Sequence, residues 1–109
     1  MEGLMNEILE DLKTELSLEK DSDINILSSK VKNAVREIRR DRNYPTVYTD
    51  KMIASDLEIY YSNIRELALY DFNQVGAEGQ TSHSENGTSR AWKSRLECKT
   101  GIVAIGKSV

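Results

Sequence analysis

Apolar residues recur at helical spacing through the first two-thirds of the chain. In three successive segments, residues 2–17, 24–40 and 50–73, leucine, isoleucine, valine and tyrosine side chains lie three or four positions apart. Such spacing places the apolar side chains on one face of each helix, and a lone amphipathic helix cannot bury that face. At 109 residues the chain can form one small core. The pattern therefore predicts a small three- to four-helix bundle over residues 1–73.

Helix-start and helix-stop residues separate the three segments. Residues 21–23 read Asp-Ser-Asp, and each of these side chains is a good N-cap for the second helix. Pro45 ends that helix, because the residue before a proline avoids helical dihedrals. Thr49 or Asp50 can cap the third helix, which we expect to run unbroken to residue 73. Its apolar face is too wide for one stripe, so it either lies central to the core or contacts a second subunit.

The sequence changes character after residue 73. Residues 74–100 are rich in glycine, serine and threonine and show no helical period. Asn86-Gly87 is typical of a two-residue β-hairpin turn, and Trp92 is the one large apolar side chain near it. An isolated hairpin is marginal in water. We therefore expect this polar hairpin or loop arm to take its order from other subunits or from a docking partner.

A short apolar run closes the chain. Residues 101–109 form an apolar tail in which Ile102, Val103 and Ile105 read as a β-type segment between glycines. Within one chain this segment has no strand to pair with, so we expect it to dock on a neighbouring subunit or partner. The overall prediction is a single, mainly α domain made of the bundle, the arm and the tail.

Composition argues against an enzyme. The chain holds one Cys and one His, which excludes a disulfide framework and a Cys/His zinc site. His83 has Ser84 and Glu85 beside it, but neighbours in sequence do not make a triad, and a turn-fixing role is favoured. No apolar run is long enough to span a membrane. We expect no catalytic residue, no metal, no cofactor and no membrane partner.

Charge is distributed in blocks around a net charge of −3. Residues 1–23 carry eight acids and two bases, whereas residues 24–45 carry six bases and two acids. The basic residues Lys32, Arg36, Arg39 and Arg40 lie within the second helix. They could contact DNA phosphates, or they could pair with the acidic first helix of the same or the next subunit. An alternative function is therefore a small DNA-binding regulatory protein.

The most specific part of the sequence runs from Asp71 to Arg90. It reads DFNQVGAEGQTSHSENGTSR, with Trp92 following. This run resembles the small head–tail connector, or adaptor, proteins of tailed bacteriophages and prophages, a group also described as phage DNA-packaging proteins. The helices before it are consistent with the same family, so the resemblance covers nearly the whole chain.

The resemblance implies a non-enzymatic structural protein of the virion. Such proteins form rings, usually dodecameric, below the portal of a filled capsid. They help to complete DNA packaging and to join head to tail, with DNA passing through the lumen without sequence specificity. The implied partners are copies of the chain itself, the portal protein and a tail or stopper protein. The implied location is the head–tail junction, after assembly in the bacterial host cytoplasm.

Two sets of residues are predicted to make these contacts. The arm residues that we expect to meet neighbouring subunits or the portal are Asn73, Gly76, Glu78, Gly79, His83, Ser84, Glu85, Asn86, Gly87, Arg90 and Trp92. The predicted C-terminal docking strand consists of Ile102, Val103 and Ile105.

Overall fold

The computed structural model describes residues 2–79 and 95–106, with the side chains of 76–79 excluded. Four α-helices and one 3-10 turn follow in chain order: α1 (Glu2–Leu16), α2 (Asp21–Arg42), α3 (Asp50–Ile59), α4 (Tyr61–Gly79) and the 3-10 turn (Leu96–Lys99). The predicted helical bundle is confirmed. No strand occurs within the described ranges, so the β-type segment expected after residue 101 is wrong there. The predicted hairpin around Asn86-Gly87 lies outside them.

Helix α2 begins earlier than its predicted caps. The N-cap is Lys20, which makes no side-chain capping hydrogen bond, and Asp21 and Asp23 lie inside the first turn. Their carboxylates there favour the helix through its positive amino end. The predicted stop is confirmed. Asn43 adopts left-handed dihedrals with φ of 54°, and its N–H donates to the carbonyls of Arg39 and Arg40.

The single third helix of the prediction is two helices. Thr49 caps α3 as expected, because its hydroxyl oxygen accepts from the N–H of Met52 at 3.1 Å. Helix α3 ends at Ile59, Tyr60 takes φ −101° and ψ 25°, and α4 starts at the next residue. No Gly or Pro lies at this break. Tyr60 instead makes a tertiary contact there, since the Arg42 guanidinium lies 5.1 Å from the centre of its ring.

Helix α4 continues to Gly79, past the predicted boundary at residue 73. The expectation that helical structure ends there is wrong for residues 74–79. Val75 is still partly exposed, at 37%. The glycines of this stretch cost helix propensity but do not stop the helix, because the turns before them are held by packing.

The core lies between all four helices, with α2 and α4 as its central pair. Its buried side chains are Leu4, Ile8, Leu12, Leu27, Val31, Ala34, Val35, Ile38, Ile53, Leu57, Ile64, Leu67, Ala68, Leu69 and Cys98. All but the last come from the periodic positions of the helices, as the spacing predicts. Cys98 enters from the 3-10 turn and is 2% exposed.

The segment from Arg95 to Gly106 packs on the helices of its own chain. Cys98 is buried, Ile102 packs against the core, and the N–H of Ile105 donates to the carbonyl of Arg42 at 2.7 Å. Its docking on a second molecule stays a prediction. Within the described chain it has no strand to pair with, as expected, but it does have a partner. The partner is the carboxyl end of α2 and the face of α4, not a strand.

Candidate functional site

Arg95 fastens the C-terminal segment to two helices. Its Nε and Nη2 donate to the Asp71 carboxylate on α4 at 2.8 and 3.0 Å. Its Nη1 and Nη2 donate to the Glu37 carboxylate on α2 at 2.9 and 2.6 Å. One planar guanidinium thus serves two carboxylates, each held by two hydrogen bonds. We call Arg95, Glu37 and Asp71, together with Lys99 and Asp41, the Arg95 clamp.

Lys99 completes the Arg95 clamp. Its Nζ lies 2.8 Å from Glu37 Oε2 and 2.9 Å from Asp41 Oδ2. Hydrogen bonds from Arg95, and then from Lys99, lower the pKa of Glu37 from 4.5 to about 2 against the opposing effect of burial. The hydrogen bond to Asp71, and then the one to Glu37, raises the pKa of Arg95. The hydrogen bond to Glu37, and then the one to Asp41, raises the pKa of Lys99. Glu37, Arg95 and Lys99 are therefore charged at neutral pH.

A second anchor holds the 3-10 turn. Asn63 Nδ2, on α4, donates to the carbonyl of Cys98 at 2.8 Å and to the carbonyl of Thr100 at 3.0 Å. An amide nitrogen carries two protons, so both bonds can form together. The side chain thereby satisfies carbonyls at the end of a short turn that has no helix to continue into.

Arg42 joins three parts of the fold. Its Nε and Nη2 donate to Asp56 on α3 at 2.8 and 3.0 Å, and its Nη1 donates to the carbonyl of Val103 at 2.7 Å. The hydroxyl of Tyr44 donates to Asp56 Oδ2 at 2.6 Å. Burial, and then the hydrogen bond to Asp56, raises the pKa of Tyr44. We call Arg42, Asp56 and Tyr44 the Arg42 clamp.

Neither clamp was among the residues predicted from sequence. Arg95 is 58 positions from Glu37 and 24 from Asp71, and Arg42 is 61 positions from Val103. No periodicity or local motif connects partners so far apart. The one available signal was chemical: an arginine and a lysine beside an apolar tail favour carboxylate partners somewhere in the same core.

The predicted arm residues are described only at their beginning. Asn73 is partly buried on α4, and the backbones of Gly76, Glu78 and Gly79 form its last turns. The predicted sites from His83 to Trp92 lie outside the described residues. In the tail, Val103 is 41% exposed, whereas Ile102 and Ile105 are partly buried.

The predicted basic residues divide into two places. Arg36, Arg39 and Arg40 line an open cleft of about 510 Å³ at the end of α2. Lys32 lies apart from them, in a groove between α1 and α2. The cleft also includes Tyr44 and Tyr48, whose ring centres are 5.6 Å apart.

Apolar side chains are exposed beside this cleft. Val47 is 78% exposed, Met52 45% and Ile59 73%. Met52 and Ile59 lie seven residues apart on α3 and line a shallow groove that shares Tyr48 with the basic cleft. Leu96, in the 3-10 turn, is 75% exposed. Isolated exposed apolar residues are common, but an apolar groove beside a charged cleft is typical of an assembly surface.

The described residues show neither a cluster of metal ligands nor a membrane-spanning helix. Among residues 2–79 and 95–106, no three His, Cys, Asp or Glu side chains lie together as metal ligands. The described helices include none with the length and apolar character to cross a bilayer.

Similarity to known proteins supplies what the geometry leaves open. A family model for the phage gp6-like head-tail connector protein matches residues 6–98, which is most of the chain. The chain belongs to this connector family. The family is one of structural virion proteins that join other head and tail proteins, so the resemblance of the Asp71–Arg90 run is confirmed. No curated protein and no solved structure is significantly similar to this connector.

Proposed function

We propose that the connector forms a dodecameric ring below the phage portal and joins the head to the tail. The observation that carries this proposal is the family match over residues 6–98. A ring satisfies identical head-to-tail contacts without leaving free ends. The partners we propose are copies of the chain, the portal protein and a tail or stopper protein. The protein acts without catalysis or cofactor, and assembly takes place in the host cytoplasm.

Three surfaces support an assembly role. The apolar groove on α3 adjoins the basic cleft at the end of α2, and Leu96 is exposed on the 3-10 turn. We propose that the arm residues from Asn73 to Trp92 also contact neighbouring subunits or the portal, and that exposed Val103 is the tail residue best placed to do so.

DNA is the proposed occupant of the ring lumen, and the connector helps to complete its packaging. A net charge of −3 suits a passage through which DNA slides, because net repulsion prevents tight attachment. The contact therefore carries no sequence specificity.

The mass of the particle formed with portal protein tests the proposal. Native mass spectrometry of portal plus connector should give a discrete ring on each portal. Trp92→Ala should weaken this assembly while the isolated chain keeps its helical circular dichroism. If the unaltered connector forms no complex with portal at any concentration, the proposed function is wrong.

A DNA-binding regulator is the second candidate. It is favoured by Arg36, Arg39 and Arg40, which make no ion pair with any residue in the described ranges. This function requires salt-dependent binding to linear duplex DNA that is lost when the three arginines become alanine. Undetectable binding in low salt would eliminate it.

A further inference from the structure

The carboxyl end of α2 carries three arginines that form no ion pair within the described residues. Arg36 and Arg40 are exposed and four residues apart, so they lie on one face of α2, with Arg39 beside them in the cleft. By contrast, Arg42, Arg65, Arg95 and Lys99 are all paired with carboxylates. We call Arg36, Arg39 and Arg40 the arginine stripe.

Helix α1 carries the opposite charge with the same spacing. Glu7 and Asp11 are exposed and four residues apart, and neither forms an ion pair within the described residues. Their neighbours differ: Glu10 pairs with Lys13, and Glu15 pairs with Arg65 on α4. Like charges four residues apart destabilise a helix. We call Glu7 and Asp11 the acidic stripe.

The two stripes do not meet within the described part of one molecule. Met5 and Leu9 of α1 line a groove with Ser28 and Val31 of α2. Arg36 and Arg40 lie beyond Val31 by about 8 and 14 Å along the helix axis. Asp11 lies toward the opposite end of α2. Pairing the stripes therefore requires a second molecule.

The spacing of charge in the cleft suits an acidic helix. Asp50 also lines the cleft and repels any anion, so an occupant must place its negative groups beside the arginines. Two carboxylates at a four-residue spacing can meet two guanidinium groups at the same spacing. The tyrosine rings beside them present an aromatic wall against which a helix can pack.

We propose that the arginine stripe of one connector subunit binds the acidic stripe of a second copy of the chain. The two stripes are different surfaces, so the contact is head-to-tail and repeats from subunit to subunit. This inference rests on the proposed ring and adds which faces meet in it. Salt weakens the contact, since its charges remain partly in solvent.

A charge-swap experiment tests the pairing. One variant carries Arg36→Glu and Arg40→Glu, and another carries Glu7→Arg and Asp11→Arg. Sedimentation velocity over a concentration series in low salt should show that each variant alone associates at least about tenfold more weakly than the unaltered chain. An equal mixture of the two should associate nearly as well as the unaltered chain, because each negative stripe then finds a positive one.

The matched control for the arginine variant is Lys20→Glu with Lys30→Glu. It makes the same change in net charge as Arg36→Glu with Arg40→Glu, but elsewhere on the molecule. It should leave self-association unchanged. The proposal is overturned if the arginine variant associates as well as this control, if the mixture fails to recover, or if the unaltered chain stays monomeric at every concentration. It is also overturned if the arginine variant loses binding to duplex DNA while its self-association is intact.

Assembly on the portal distinguishes a failure of the stripe pairing from a failure of the proposed function. If the unaltered connector and both charge variants form the same ring on portal protein, the proposed function stands and the pairing of stripes is wrong. If the unaltered connector forms no ring there, the proposed function itself is wrong. If rings form with the unaltered chain and with the mixture but with neither variant alone, both stand.

Discussion

Two arginines determine how the last described segment of the connector is held. Arg95 and Arg42 each use several guanidinium protons at once, and their carboxylate partners lie on three different helices. A lysine cannot reproduce this geometry, because its ammonium group is a point charge. These two residues are therefore the positions at which a conservative substitution should do the most damage.

Glu37 should make the stability of the connector sensitive to acid. Its pKa is about 2 in the folded chain and 4.5 in the unfolded chain, so its contribution is complete above pH 5 and is lost as the pH falls toward 2. The free energy of unfolding, measured by urea titration, should be about 1–2 kcal/mol lower for Glu37→Gln than for the unaltered chain at pH 7. The two values should converge in titrations at pH 4 and pH 3. The control is Glu58→Gln, at an exposed position of α3, which should have the stability of the unaltered chain at each pH.

Arg42→Lys should loosen the end of the chain. The substitution keeps the charge but loses the double hydrogen bond to Asp56 and the bond to the Val103 carbonyl. We expect a loss of about 1–2 kcal/mol in unfolding free energy and faster hydrogen exchange at the Ile105 amide, which bonds to the Arg42 carbonyl. Arg36→Lys on the same helix should change neither quantity. Equal exchange rates in the two variants would show that Arg42 does not hold the tail.

At the scale of elements, the helices, the end of α2 and the cap of α3 were predictable, whereas the break between α3 and α4 was not. Helix α1 was expected over residues 2–17 and spans Glu2–Leu16, because its apolar spacing is regular and its packing agrees with it. The break at Tyr60 coincides with a contact between its ring and Arg42, which no local sequence pattern encodes. Helix α4 extends to Gly79 although its two glycines have low helix propensity.

The core leucine of α3 should be essential. Leu57 is fully buried, so Leu57→Asp would place a charge among apolar side chains and unfold the bundle. Leu57→Ala should cost about 2–5 kcal/mol. Leu96→Asp is the matched control, because that leucine is 75% exposed. Thermal melts by circular dichroism measure all three; a folded Leu57→Asp chain would place α3 outside the core.

The docking of the 3-10 turn on α4 can be followed through its thiol. Cys98 is 2% exposed, so a thiol reagent should modify it slowly in the folded chain. Asn63→Ala removes both hydrogen bonds to the turn and should raise that rate about tenfold, whereas Ser62→Ala on the exposed side should not. Rapid modification of the unaltered chain would contradict the burial of this turn.

At the scale of the molecule, the sequence indicated the family but not the contacts that hold the last described segment. The Asp71–Arg90 run pointed to a head–tail connector, and the family match confirms it. The apolar tail in the last described segment was expected to need a neighbour because one chain offers it no strand to pair with. Ion pairs and one buried thiol fasten it instead, and long-range charge pairing leaves no periodic trace in a sequence.

The Arg95 clamp has a practical consequence. The ion pairs of the Arg95 clamp begin at the first residue of the segment. The segment from Arg95 onward should therefore stay bound to the four helices if the backbone is cleaved before it. A protease site engineered between Gly79 and Arg95 should yield two polypeptides that co-purify, and a synthetic peptide beginning at Arg95 should rebind the shortened chain. The connector should thus work as a split protein, in which a short C-terminal peptide binds the helical part.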